Sequence, residues 1–194
     1  MDEGYIKYKS DWKKSEIEID NDLFDEINIW RNHFYSKNWI GAYSDGIGFG
    51  NISLRLQDNQ FLISGSATGN YTELEKSNYS IVNNFDFDSN FLKCSGQTEA
   101  SSEALSHAAL YKANSKISRI VHIHNLDLWK KWINRLPTTS NKITYGTPEM
   151  AYELQLIMLE MKTDEGLIIM GGHREGIIAF GDDFAKIAEL LHDL

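Results

Sequence analysis

A layered α/β domain is the fold class this sequence predicts, on three observations. Apolar residues recur at helical spacing in two long stretches: Leu23, Ile27, Trp30 and Phe34, then Met150, Leu154, Ile157, Met158 and Met161. Between them lie pairs of short alternating runs joined by polar turns, the pattern of β-hairpins. The middle of the chain, SSEALSHAALYKANSKISRIVHIHN at residues 101–125, reads as a short helix, a polar turn and a strand. Helices interleaved among antiparallel hairpins in this order describe a sheet covered by helices.

Taken in order, the first 19 residues are polar, with a Tyr5, Ile6, Tyr8 stretch that reads as an edge strand. Behind a cap at Asp20 or Asn21, an amphipathic helix runs to about Asn38. Residues 41–50 form a glycine-spaced loop, and residues 51–56 and 61–63 are two strands joined by a tight turn at Asp58-Asn59. The second strand runs into Ser64-Gly65-Ser66-Ala67-Thr68-Gly69, a loop of small residues whose exposed amides and hydroxyls suit an anion. Taken alone, an ordinary turn is the better reading of that loop, because Gly and Ser are common turn formers.

Residues 80–94 alternate as another hairpin, turning at Asp88-Ser89-Asn90. After the central stretch, residues 126–136 read as a helix carrying Trp129 and Trp132 at i, i+3, packing residues first, whose aromatic surface gives only a hint of association. Pro148 opens a further helix, since proline is tolerated in a first turn, and its methionines line the apolar face. Residues 167–170 and 177–180 are short apolar strands around a glycine-rich turn, and Asp182 or Asp183 starts the last helix.

Composition narrows the function. A chain of 194 residues with 42% hydrophobic content has enough apolar side chains for one sizeable core, so one domain over residues 1–194 is expected. A net charge of -9 and a pI near 5.1 argue against a nucleic-acid binder, since nothing resembles a basic stripe that could displace counterions. One cysteine, Cys94, cannot form an internal disulfide, and no apolar run approaches the roughly 20 residues that span a bilayer. The opening MDEGYIKYKS lacks a signal peptide's basic and apolar regions, so a cytoplasmic, reduced protein is expected.

The candidate chemistry sits in the central stretch. Alternate residues of a strand face the same way, so His122 and His124 present two imidazoles side by side, at a spacing that suits one metal ion. Two histidines leave an ion short of protein ligands; His173, behind Gly171 and Gly172, is the best-placed third, and Glu103 would supply a carboxylate. Each residue has a bland alternative: buried strand histidines can be satisfied core residues, Glu103 and His107 can be an i, i+4 helix pair, and His173 can be a surface residue. Three histidines and an acid at the ends of elements, flanked by glycine or serine, are harder to dismiss together. A cupin-type oxygenase also uses HxH with a carboxylate and a later histidine, but on an all-β barrel. The helices on both sides of this HxH strand rank that reading low.

With these blocks assembled, the sequence resembles the class II aldolase/adducin-like family, which includes fuculose-phosphate aldolase, ribulose-phosphate 4-epimerase and methylthioribulose-phosphate dehydratase. The resemblance covers residues 23–191 through GNISLR at 50–55, ISGSATG at 63–69, SSE at 101–103, HIH at 122–124 and GHREGIIAFG at 172–181. It implies a three-layer α/β/α domain with a central, largely antiparallel sheet. It further implies that Glu103 is the acid/base and that His122, His124 and His173 hold a divalent metal, usually zinc. Asn51, Thr68, Gly69, Ser101 and Ser102 would form the phosphate cradle.

The implied activity is a lyase acting on a small sugar phosphate through a metal-stabilised enediolate. Epimerase, dehydratase and a non-catalytic adducin-like binding protein are the alternatives, and a homotetramer is the implied assembly. The sequence departs from the family's pattern in three places. Arg174 and Glu175 separate His173 from Gly176, where the family usually runs directly from histidine to glycine, so the third ligand's turn differs. Ala67 stands where aldolases often carry proline, implying a less rigid phosphate loop, and the sequence ends at Leu194 without the tail that carries a catalytic aromatic residue in some aldolases.

Overall fold

In the computed structural model, which describes residues 4–194, the elements follow the expected order, with their ends set by caps and turns. An edge strand does form near the N-terminus, but at β1 (Lys9–Lys14) rather than around residues 5–8. Residues 1–3 of that expectation lie outside the described residues. Tyr8 is instead buried, its hydroxyl donating to the Ala100 carbonyl at 2.9 Å, which pins the chain entering β1 beside the start of the central helix. Helix α1 (Asn21–Ser36) begins behind Asp20, whose Oδ1 accepts the amides of Asp22 and Leu23 at 2.9 and 3.4 Å. The glycine-spaced loop folds into two short strands, β2 (Gly41–Ala42) and β3 (Gly48–Phe49), paired antiparallel.

Two hairpins follow: β4 (Asn51–Gln57) with β5 (Gln60–Ser64), and β6 (Tyr79–Asp86) with β7 (Phe91–Gly96). Helix α2 (Ala104–Ala113) leads into β8 (Arg119–His124) and then α3 (Leu126–Trp132). The expected helix over residues 126–136 stops early because Ile133 turns extended and Asn134 takes φ 61°, its amide donating to Thr138 Oγ1 at 3.0 Å. Helix α4 (Pro148–Met161), the strands β9 (Gly166–Ile169) and β10 (Gly176–Gly181), and α5 (Phe184–His192) complete the chain.

Eight strands form one sheet in the order β1-β7-β6-β5-β4-β8-β10-β9, antiparallel throughout except for the parallel β1–β7 edge. The sheet has an apolar cluster on each face, because alternate strand residues point opposite ways. One cluster takes Ile63, Ile120 and Ile178 against α2 and α4; the other takes Ile52, Val121, Ile123 and Ile177 against α1 and α5. Each such buried side chain contributes about 1.5–3 kcal/mol. The alternation on β8 therefore aims His122 and His124, with Ile120, at the α2 side, and pairing on both edges fixes their register: His122 lies opposite Asn51 and Ile178.

Trp129 and Trp132 pack, as the sequence reading expects. Their indole N–H groups donate to the carbonyls of Met170 and Leu194, at 2.9 and 3.1 Å, and both rings pack on the second cluster. Among the large apolar side chains that are exposed, three recur along α4: Tyr152, Leu156 and Leu159. No helix among the described residues is long and apolar enough to cross a membrane.

Candidate metal centre and anion cleft

The site gathers at one end of the interior strands, where β4, β8 and the β9–β10 turn meet the start of α2. His122 and His124 arrive on β8, and His173 arrives on the turn, whose amide donates to Met170 O at 3.2 Å. The glycines before His173 have a packing reason: a Cβ on Gly172 would sit 1.8 Å from the Ile143 carbonyl oxygen, so only glycine lets the turn lie against that segment.

The three histidines are buried, and one nitrogen from each lies within 4.8 Å of the other two. His122 Nε2 and His124 Nε2 stand 3.0 Å apart. Ligands about 2.0–2.1 Å from a shared tetrahedral ion stand roughly 3.3 Å from each other, so these separations bracket what one ion needs. Burial pushes the imidazoles of His122, to about 4, and of His124 well below their ordinary value, with Glu103 opposing the shift at His122. Both rings are therefore neutral at pH 7, the form that offers a lone pair to a metal. Three imidazole nitrogens and an adjacent carboxylate fit zinc or another first-row divalent ion.

Glu103, 2% exposed, sits at the N-cap of α2. Its Oε2 accepts from Ser106 Oγ at 2.6 Å, and its Oε1 lies 3.1 Å from His173 Nδ1. From the sequence, burial and a nearby cation oppose each other at this group. In the structure burial raises its pKa, but the His173 hydrogen bond and charge, then His122 and Ser106, outweigh burial and hold the carboxyl at about 2. His107, the other half of the i, i+4 pair, turns its Nδ1 to Ser53 Oγ at 2.7 Å, and Ser53 meets the Tyr111 hydroxyl at 2.8 Å. This is a buried polar chain that joins α2 to β4.

Beside Glu103 opens a cleft lined by all five residues expected to cradle a phosphate: Asn51, Thr68, Gly69, Ser101 and Ser102. The start of α2 faces it, and amides at a helix N-terminus carry partial positive charge. Asn51 Oδ1 is buried without a hydrogen-bond partner, so the cleft contains an acceptor left over for a donor on a ligand, such as a hydroxyl. Gly69 is forced, since a Cβ there would lie 2.1 Å from the Gly41 carbonyl oxygen. Ala67 takes φ 58°, a left-handed conformation closed to proline, whose ring locks φ near -65°.

Residues that the sequence did not single out complete the site. Arg31, from α1 and 1% exposed, holds the cleft loop from behind: its guanidinium donates to the carbonyls of Tyr71 at 2.5 Å, Thr72 at 3.0 Å and Thr68 at 3.3 Å. Arg31 thus ties the cleft loop to α1. Tyr145 stacks on His173 with centroids 4.6 Å apart, and the Tyr43 hydroxyl lies 2.8 Å from His124 Nδ1. The available signals were a tyrosine before Gly146-Thr147-Pro148 and another in the glycine-spaced loop, and neither points to a partner.

Residues 33–194 match the family described as Class II Aldolase and Adducin N-terminal domain. A stretch of 94 residues is 38% identical to the 3-oxo-tetronate 4-phosphate decarboxylase of Haemophilus influenzae, covering 47% of this chain and 38% of that enzyme's length. Among solved structures, YgbL from Klebsiella pneumoniae superposes with a TM-score of 0.64 at 17% identity, over 89% of this chain and 84% of that one. An L-fuculose 1-phosphate aldolase superposes with a TM-score of 0.64 at 18% identity, over 90% and 84%. At such identities the superpositions establish the shared fold.

Proposed function

The chain belongs to the class II aldolase and adducin family, and we propose that within it the protein is a metal-dependent lyase of the aldolase type acting on a small sugar phosphate. The observation that carries this reading is the meeting of three buried imidazoles with the buried Glu103 carboxylate, at the edge of a cleft headed by the N-terminus of α2. His122, His124 and His173 would hold the ion, zinc first. When bound, it supplies Lewis acidity toward the negative charge that develops on a substrate oxygen as a bond beside the carbonyl breaks.

Glu103 is the group that moves the proton. Held at about 2, it is ionised at neutral pH and so accepts rather than donates at the start of the reaction, while Ser106 fixes one of its oxygens. The phosphate sits between the 66–69 loop and the start of α2, taking donors from Thr68, Gly69, Ser101, Ser102 and the Asn51 amide. The overall charge of -9 repels an anion at long range, but salt screens that field within about 8–10 Å, whereas the amides act at contact.

Retro-aldol cleavage is the first reading. Decarboxylation is the second, favoured by the 38% identity to a 3-oxo-tetronate 4-phosphate decarboxylase. Loss of CO2 from a 3-oxo acid leaves its electron pair beside a carbonyl, so the same residues would serve. A homotetramer in the cytoplasm is part of the proposal, and the apolar stripe of Tyr152, Leu156 and Leu159 on α4 is a face that assembly would cover.

The test is to offer the zinc-loaded protein a panel of ketose phosphates and phosphorylated 3-oxo acids, with Glu103→Gln alongside. One class should be turned over, and the variant should stay folded while losing roughly a hundredfold or more in rate. Full activity in Glu103→Gln removes that residue from the mechanism. Stoichiometric zinc without turnover of any member returns the reading to a binding protein.

A further inference from the structure

The two residues that separate His173 from Gly176 place a carboxylate at the back of the histidine cluster. Glu175 takes φ 75°, a left-handed conformation that side-chain-bearing residues rarely adopt, while its carbonyl accepts the Asn125 amide at 2.9 Å. The turn thereby brings Glu175 Oε2 to 3.0 Å from the Tyr43 hydroxyl, across 132 positions of sequence. The same hydroxyl oxygen lies 2.8 Å from His124 Nδ1. Glu175 Oε1 faces Arg174 Nε at 3.9 Å.

Proton counting gives this chain a direction. Tyr43 donates its single phenolic proton to Glu175 Oε2, and the Tyr43 oxygen is left to accept at His124. Nδ1 of His124 must then carry its ring proton, which leaves the lone pair on Nε2, the nitrogen that stands 3.0 Å from His122 Nε2. The ring is held in that pose from the side as well: Phe49 stacks on His124 at 5.4 Å and 24°, and Tyr43 lies against Phe49 at 4.7 Å.

We propose that Tyr43 and Glu175 are positioning residues: a relay from Glu175 through Tyr43 to His124 Nδ1 sets the tautomer and orientation of His124 for metal binding. Glu175, one of the two residues between His173 and Gly176, is what supplies the terminal acceptor. The inference rests on the reading of His122, His124 and His173 as metal ligands. Partners behind a ligating histidine are typically worth about 10–100-fold in metal affinity.

The experiment measures zinc affinity by competition with a chromophoric chelator for the wild type, Tyr43→Phe, Glu175→Ala and the double variant, with melting of each metal-free protein as the folding control. The expected result is zinc binding weakened about 10–100-fold in Tyr43→Phe, which keeps the ring but removes the acceptor. A smaller loss is expected in Glu175→Ala, and the double variant should bind no more weakly than Tyr43→Phe, since a broken chain cannot be broken twice. The cobalt-substituted protein should shift its visible spectrum in Tyr43→Phe, a readout that a loss of packing alone leaves in place.

Zinc affinity within twofold of wild type in Tyr43→Phe overturns the relay, and so do independent losses that multiply in the double variant. A wild type that binds no zinc removes the metal reading itself and the relay with it. That failure is distinct from tight wild-type binding that the variants leave untouched.

Discussion

Replacing Arg31 by Met tests whether one buried side chain holds the anion cleft in shape. Methionine keeps most of the length and the contact above Tyr35, where the guanidinium carbon lies 4.6 Å from the ring centroid, but it removes every donor. Three carbonyls depend on those donors. Thr68 O keeps a second partner, the Tyr71 amide at 3.2 Å, whereas the carbonyls of Tyr71 and Thr72 lose the guanidinium outright. A buried acceptor stripped of its partner costs about 1–3 kcal/mol. Tyr71 and Thr72 are both exposed, so water reaches that end of the loop and the lower half of that range applies to each carbonyl.

The expected loss is therefore about 2–4 kcal/mol, which for a chain of this length lowers the melting temperature by roughly 4–16 °C. Burial disfavours the charge on Arg31 and lowers its pKa, a term that removing the charge returns and that keeps the net figure moderate. Scanning calorimetry reads the stability. A second assay compares phosphoglycolohydroxamate with glycolohydroxamate by titration calorimetry, where Arg31→Met should weaken only the phosphate-bearing ligand. A melting shift under about 2 °C, or equal weakening of both ligands, refutes the account of Arg31 as the support of the cleft.

Protein grown and purified with zinc present should carry about one divalent ion per chain by elemental analysis, and His122→Ala or His124→Ala should lose it; equal loading in either variant would count decisively against the site. The metal-free protein should lose stability in acid. His107 and His122 are depressed by burial to about 3 and about 4, so the unfolded chain takes up protons first as pH falls below about 6.5, and Glu103, held at about 2, adds to the loss below its ordinary carboxyl range. Stability is thus fully present above about pH 6.5 and declines toward pH 3–4, and a urea midpoint at pH 5 equal to or above that at pH 7 would contradict the sign. Light scattering should give about four times the 22.2 kDa chain mass, and Leu156→Asp together with Leu159→Asp should break that assembly; a monomer of one chain mass at micromolar concentration refutes the tetramer.

The sequence by itself determined what depends on short range. Alternation along β8 put His122 and His124 on one face, Asp20 and Pro148 marked their helix starts, and the Ser101-Ser102-Glu103 run opened a helix beside a loop of small residues. These follow from periods of two and 3.6 and from the orphan amides of a helix end, which neighbouring residues reveal. The early stop of α3 at Ile133 was hidden because the helical pattern of apolar residues continued past it, while a hydrogen bond from Asn134 to Thr138 decided the matter.

Only the tertiary structure decided the rest. Arg31 lies 37–41 positions from the carbonyls it holds, Tyr43 lies 81 from His124, and Glu175 lies 132 from Tyr43. A buried arginine, a loop tyrosine and an extra glutamate carry no mark of such partners in a linear chain. Their pairing is set by the order in which eight strands stack, with β8 between β4 and β10, and by glycines that let one segment's backbone touch another's. The sign of the Glu103 shift belongs to the same class. Burial and attraction act on it in opposite directions, and their balance is fixed by the 3.1 Å to His173, a distance created when the β9–β10 turn folds over the start of α2.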